Sequence, residues 1–195
     1  MIRRIVLAST SRYRQDQLAR LHLPFVAETP DVEENPLPGE IQRDTAQRLA
    51  LAKALAVSRH QGEAIVIGAD QVAELDGRSI GKPGTHEAAL EQLLAMRGRT
   101  VRFHSGIAVV DGRTGRCLSD SIATDVRFRN LPPEALDAYL KTDLPYDCAG
   151  AAKIESLGIC LVEAVHSDDP TALIGLPLIA LTSMLAELGV PLPAA

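Results

Sequence analysis

Short apolar runs alternate with longer helical stretches along this chain, and their order predicts a mixed α/β fold. Ile5 to Ala8 is a first strand and Arg12 to Leu21 a helix. Pro24 to Ala27 is a second short strand. Asp44 to Ser58 is the clearest helix, with Asp44 or Thr45 as its cap. Its middle, Leu49 to Val57, is apolar except for Lys53, which is the pattern of a buried helix. Ile65-Val66-Ile67 is short and β-branched, as in a buried central strand. Val72 to Ile80 alternates around Asp76-Gly77, a hairpin-turn pair. Thr85 caps a helix that runs to Met96. Thr100 to Val110 and Leu118 to Phe128 are longer strands flanking a turn-rich link, and they are expected to pair antiparallel. Pro132 to Lys141 is a further helix. Asp143 to Gly158 reads as a polar loop, and Ile159 to Val165 as a strand. Pro177 takes the first position of a last helix, which Gly189 stops. The pattern predicts a partly antiparallel sheet flanked by helices.

The chemistry gathers at the ends of these elements. Asp70 is expected just past the carboxyl end of the central strand, where open α/β sheets place ligand groups. The hairpin folds the chain back and brings Lys82 toward it. A carboxylate and a lysine there suit a metal-phosphate site; a surface turn with a solvated Asp and Lys is the alternative. Ser9-Thr10-Ser11 joins the first strand to the first helix. Free N–H groups and partial positive charge at a helix start hold anions, and Arg12 and Arg14 add charge close by. Taken alone, these residues read more readily as an ordinary Ser cap on a surface helix with exposed arginines. Lys53 either snorkels to water or meets a partner, because an unpaired buried charge is costly. The Pro-rich acidic loop from Pro30 to Pro36 is either solvated or lends Glu33 or Glu34 to a metal ion shared with Asp70.

Composition narrows the classes. The chain has 195 residues, which suggests one domain, or at most two lobes; a single domain over residues 1–195, its two lobes around a central cleft, is expected. Aromatics are 3% and Trp is absent, so the core is aliphatic. A net charge of -5 argues against binding a nucleic-acid polymer, while leaving room for a small basic pocket. Three widely spaced cysteines, Cys117, Cys148 and Cys160, contain no Cys-x-x-Cys pair and read as buried or half-buried free thiols. The five histidines show no ligand spacing. The amino-terminal apolar run, from Ile5 to Ala8, is too short for a signal peptide, and no stretch is long enough to span a membrane. A cytoplasmic protein is expected.

Taken together, Ser9-x-Ser11-x-x-Arg14, Glu33-Glu34, Arg48-Leu49-Ala50-x-x-Lys53-Ala54, Gly68-Ala69-Asp70, Gly81-Lys82-Pro83, Asp147-x-Ala149-Gly150 and Gly175-Leu176-Pro177 resemble the Maf family of nucleotide pyrophosphatases, in order and spacing. The resemblance covers nearly the whole chain. It implies a fold like that of inosine-triphosphate pyrophosphatases, a homodimer, and a nucleoside triphosphate as substrate. It implies cleavage to the monophosphate and pyrophosphate with a divalent metal, Mg²⁺ or Mn²⁺. It favours Glu34 over Glu33 beside Asp70 as the metal-side carboxylate. Asp70, Lys53 and Lys82 become the catalytic candidates, and Ser9, Ser11, Arg14, Lys53 and Lys82 the phosphate-binding ones. Cys148 falls inside a motif but is read as a bystander.

Three positions resemble the subgroup that cleaves 7-methyl-GTP. Gln71 and Glu155 replace the Thr and Gln of the dTTP/UTP-cleaving group, and Tyr13 replaces an Arg. A methylated guanine is cationic, so an aromatic face and a carboxylate suit it. Glu155 can accept from guanine N–H groups, and Gln71 offers a donor and an acceptor. Two positions depart from the pattern: Arg12 stands where the family has Pro, and Tyr13 where the subgroup often has Trp. The competing readings are a pyrophosphatase of dTTP, UTP or broad specificity, and a nucleotide-binding regulator of cell division with little catalysis.

Overall fold

A computed structural model describes residues 3–190 and 192–193. Met1 and Ile2, at the head of the amino-terminal stretch, lie outside the described residues. The strands are β1 (Ile5–Ala8), β2 (Phe25–Glu28), β3 (Ile65–Leu75), β4 (Arg78–Ile80), β5 (Thr100–Asp111), β6 (Cys117–Phe128) and β7 (Val162–Ser167). The helices are α1 (Arg12–Ala19), α2 (Gln42–Ser58), α3 (His86–Met96), α4 (Pro133–Asp143) and α5 (Leu178–Glu187). The strands form one sheet in the order β2-β1-β3-β5-β6-β7, with β4 paired to β3. β1 runs parallel to β2 and β3, while β5, β6 and β7 extend the sheet antiparallel. The mixed, partly antiparallel sheet flanked by helices is the expected architecture.

Alternation along β1 shows how the layers form. Ile5 and Leu7 point to one face, with Ile65, Ile67 and the aliphatic side of α5; Val6 and Ala8 point to the other, with α2. A third cluster joins Phe103, Val126 and Phe128 to α3 and α4 at the other end of the long strands. Ala73 and Phe103 share the face of Ala69 and Ile107, as period-2 spacing requires. α1 and α5 therefore flank one end of that face, and α3 and α4 the other.

α2 lies almost in backbone contact with the sheet. A Cβ on Gly68 would fall 2.1 Å from the Ala50 carbonyl oxygen, and one on Gly106 would fall 2.0 Å from that of Ala46. Glycine in the strands and alanine on the helix make that approach possible. Lys53, beside this seam, is thus held directly above the sheet.

Several boundaries differ from the sequence reading. β3 does not stop at Ala69. It runs to Leu75, because β5 keeps pairing with it after β1 has ended opposite Gly68. Asp70 is therefore inside a strand, opposite Gly106, although it lies just beyond the end of β1. α2 begins at Gln42 with Ile41 at its cap position, and no side chain caps it. Thr45 instead donates its hydroxyl to Glu40 and to the Ile41 carbonyl. Pro177 is the cap residue of α5 rather than its first residue. The segment from Asp143 to Gly158 contains a short 3₁₀ turn at Ala149–Ala151, and a second, Leu157–Leu161, delays β7 to Val162. Cys117 and Cys160 are exposed, not buried. Thr85, by contrast, caps α3 as expected, accepting from Ala88 N. Among the described residues no helix is long and apolar enough to cross a membrane.

Candidate active site

The carboxyl ends of the parallel strands open into a cavity of about 1190 Å³. Ser9, Ser11, Tyr13, Arg14, Glu34, Lys53, Asp70, Gln71, Lys82 and Glu155 all line it. The elements that deliver them are the β1–α1 turn, the loop after β2, α2, β3, the loop after β4 and the loop after α4.

At the β1–α1 turn, Ser9 Oγ accepts from Ser11 N at 3.1 Å and from Arg14 Nη1 at 3.4 Å. Ser11 is the cap of α1, accepting from Arg14 N. Arg14 Nε donates to the Gly175 carbonyl at 3.0 Å, so the guanidinium is fixed between the first and last loops of the site. Burial lowers its pKa, opposed by the charges of Asp70 and Glu34; arginine remains cationic throughout the working range.

Lys53 resolves its two readings in favour of partners. Its Nζ is 2.6 Å from Asp70 Oδ1 and 2.7 Å from Glu34 Oε1. Lys53 and Asp70 are 5% and 7% exposed, whereas the Glu34 side chain is 61% exposed. Burial raises the Glu34 carboxyl, but the hydrogen bond and charge of Lys53, with Lys82 and Arg14, bring it below the ordinary value. Glu33 is absent from the cavity lining and instead accepts from Asn35 Nδ2 at 2.9 Å.

Asp70 and Gln71 point to opposite faces of the sheet. The Gln71 amide donates to Ser105 Oγ at 3.0 Å and to the carbonyls of Ala172 and Leu173 at 3.1 and 2.9 Å. Its amide hydrogens are thereby committed to the protein, and only its oxygen remains for a ligand. The expectation that Gln71 offers both a donor and an acceptor is corrected accordingly.

At the far end, Tyr13, Asp147, Cys148, Ile154 and Glu155 converge. Burial raises the Tyr13 hydroxyl. Burial also raises the Glu155 carboxyl, with Asp143 and Asp147 adding to it and its own backbone N–H and Lys153 opposing. The Cys148 thiol is pushed up to about 12, chiefly by burial. Cys148, set aside in the sequence, thus lines the cavity as a protonated thiol. Arg12, expected to add charge at the β1–α1 turn, lines the cavity, as do Asp147 and Cys148, to which sequence reasoning gave no role. The Asp147-x-Ala149-Gly150 motif was the available signal for the last two.

Among the described residues no group of three or more His, Cys, Asp or Glu side chains could hold a metal ion by itself. Glu34 and Asp70 nevertheless come together around the Lys53 ammonium, each with a second carboxylate oxygen that Lys53 leaves free. Two hard oxygen donors side by side fit Mg²⁺ or Mn²⁺ when substrate oxygens and water complete the shell.

The fold and the cavity define a mixed α/β protein with a cavity lined by Arg14, Lys53 and Lys82 at the carboxyl ends of its parallel strands. A family model described as Maf-like protein matches residues 4–188. The chain belongs to the Maf-like family. A protein of Cupriavidus metallidurans named 7-methyl-GTP pyrophosphatase is 56% identical over 187 residues, covering 96% of this chain and 94% of its own. One of Burkholderia thailandensis with the same name is 57% identical over 192 residues, covering 97% of this chain and 89% of its own. Among solved structures, the Staphylococcus aureus Ham1 protein overlays 66% of this chain and 73% of its own, with a TM-score of 0.48 and 20% identity.

Proposed function

We propose that this protein hydrolyses the α–β phosphoanhydride of 7-methyl-GTP, releasing 7-methyl-GMP and pyrophosphate. The observation that carries the reaction is the convergence of Glu34 and Asp70 on Lys53, with Arg14 and Lys82 lining the same cavity. The names of relatives more than half identical over nearly the whole chain support the base.

Asp70 orients the attacking water and takes its proton on the carboxylate oxygen that Lys53 leaves free. Lys53, by donating to Oδ1, fixes the direction of the carboxylate. Arg14 and Lys82 face the phosphates and offset the charge that grows on the departing pyrophosphate. The β1–α1 turn, through Ser9, Ser11 and the first N–H groups of α1, holds a further phosphate. A divalent ion, held by Glu34 and Asp70, would supply Lewis-acid polarisation of the phosphoryl oxygens. Tyr13 gives a π face to the methylated base and Glu155 a carboxylate, both suited to a cationic purine. We further propose a cytoplasmic homodimer of single-domain, two-lobed subunits that removes modified nucleotides.

The test is pyrophosphate release, with Mg²⁺ present, from 7-methyl-GTP, GTP, dTTP, UTP and CTP. Preference for 7-methyl-GTP is expected. Preference for dTTP or UTP would keep the hydrolytic roles and overturn those of Tyr13 and Glu155. No release from any of them by folded protein would overturn the reaction in favour of a nucleotide-binding regulator.

A further inference from the structure

Glu34 stands on a segment, residues 29–41, that is neither helix nor strand. A metal ligand on such a segment loses affinity to the cost of ordering it, unless something orders it beforehand. Here α2 grips the segment at Glu34 and at the residues that follow it. Within the cavity, Lys53 Nζ holds the Glu34 carboxylate at 2.7 Å. Five residues earlier on the same helix, Arg48 Nη2 donates to the carbonyl of Asn35 at 3.2 Å, on the residue next to Glu34.

Arg48 is itself locked. Its Nε donates to Glu40 Oε1 at 2.6 Å and its Nη2 to Glu40 Oε2 at 2.7 Å, a two-point pairing that fixes the guanidinium plane. The same carboxylate accepts from Leu37 N at 3.0 Å and Thr45 Oγ1 at 2.9 Å. One carboxylate therefore collects donors from the loop and from α2. The Glu40 side chain is 10% exposed. Arg48 holds its carboxyl down to about 2, so the clamp stays ionised at any working pH. Neither Arg48 nor Glu40 lines the cavity.

We propose that Arg48 and Glu40 are positioning residues that preset Glu34 beside Asp70 and so set the affinity for the divalent metal, without touching substrate. The proposal rests on Glu34 and Asp70 being the metal-side carboxylates.

The experiment measures Mn²⁺ binding by electron paramagnetic resonance, with an α,β-methylene analogue of 7-methyl-GTP present and the analogue alone as background. It also measures KM for Mn²⁺ and kcat at saturating 7-methyl-GTP. The variants are Glu40→Gln, Arg48→Lys, Glu34→Gln and the double Glu34→Gln/Glu40→Gln. Glu40→Gln is expected to weaken Mn²⁺ binding and raise its KM about tenfold, the low end for residues that orient a ligand. Its kcat at saturating Mn²⁺ is expected to fall less than about twofold. Arg48→Lys, which keeps charge but loses the fork, shifts in the same direction. In the Glu34→Gln background the Glu40 change is expected to add less than about twofold, because its effect passes through Glu34. Amide exchange of residues 29–41 in the metal-free Glu40→Gln protein speeds up, while that of β1 and β3 does not.

A Glu40→Gln protein with normal Mn²⁺ affinity overturns the proposal, as does one whose loss is undiminished when Glu34 is already Gln. If Glu34→Gln leaves Mn²⁺ affinity unchanged, the metal assignment fails and the proposal with it. That outcome is separate from failure of the reaction, which wild-type turnover alone reports.

Discussion

Lys53 Nζ lies 2.6 Å from Asp70 Oδ1, and the two side chains are almost wholly buried where α2 crosses β3. The α2–sheet seam brings them together: Ala50 and Ala54 sit on Gly68, two residues before Asp70. Such a pair is costly to break by removing one partner, since the other is left as an uncompensated charge. Lys53→Met is expected to cost about 3 kcal/mol, the low end for buried pairs because Arg14 still faces Asp70. At this chain length that is about 6–12 °C in Tm. The double variant Lys53→Met/Asp70→Asn should regain a large part of the loss. Thermal unfolding of both single variants and the double decides it; simple addition of the two losses would show that the pair is not coupled.

The same pair separates binding from chemistry. Asp70→Asn keeps the shape and the hydrogen bond to Lys53 but removes the base. Single-turnover pyrophosphate release should fall by about 10³, within the usual range for a general base. Binding of an α,β-methylene nucleotide should change only a few-fold. Retained turnover would remove Asp70 from the reaction; equal loss of binding would make its role electrostatic.

How far the sequence reached depends on the range of the interaction. The elements were legible because apolar periodicity and turn chemistry are local, as at Asp76-Gly77 and the Thr85 cap. The candidate residues of the site were legible as a motif series in register. What escaped was set by partners distant in sequence. β3 extends past Asp70 because β5, about thirty residues later, continues the ladder. Gln71 spends its donors on carbonyls about one hundred residues away. Backbone acceptors carry no side-chain signature, so nothing in the sequence advertised them. The clamp of Arg48 and Glu40 crosses a loop-to-helix boundary that the Asp44 start point had put too late.

Gln71 therefore carries a prediction of its own. Gln71→Glu keeps an acceptor toward the cavity but turns a carboxylate onto the carbonyls of Ala172 and Leu173. Stability should drop by about 1–3 kcal/mol, the cost of leaving such groups unsatisfied. The loop after β7 should shift, and with it Gly175, which holds Arg14. KM should then rise for every nucleotide alike. A selective loss on 7-methyl-GTP, with stability intact, would instead make Gln71 a reader of the base.

The glycine seam is open to a direct check. Gly106→Ala would place a methyl group 2.0 Å from the Ala46 carbonyl oxygen, and backbone on both sides leaves little room to yield. A loss of about 3 kcal/mol or more is expected, at or above the top of the usual overpacking range. Denaturant unfolding measures it. A near-neutral result would mean that α2 can lift from the sheet at low cost, contrary to the rigid placement of Lys53.

The role proposed for Glu155 makes base selectivity sensitive to pH. Its carboxyl is raised above the ordinary glutamate value mainly by burial, with Asp143 and Asp147 contributing and Lys153 opposing. Between the unfolded and the raised folded pKa the native state binds more proton than the unfolded chain, so stability falls as pH rises through that window. Glu155→Gln removes this slope, with little change in Tm at neutral pH because the residue is exposed to solvent. Function runs the other way, because only ionised Glu155 favours a cationic base. The ratio of kcat/KM for 7-methyl-GTP over GTP should therefore decline on acidification, beginning above the pH at which an ordinary glutamate titrates, about 4.3. In Glu155→Gln the ratio should be lower by roughly tenfold, the equivalent of ~1.4 kcal/mol, and should lose the decline assigned to this carboxylate. Parallel pH profiles for wild type and variant would show that the discrimination is made elsewhere, with Tyr13 the first side chain to examine.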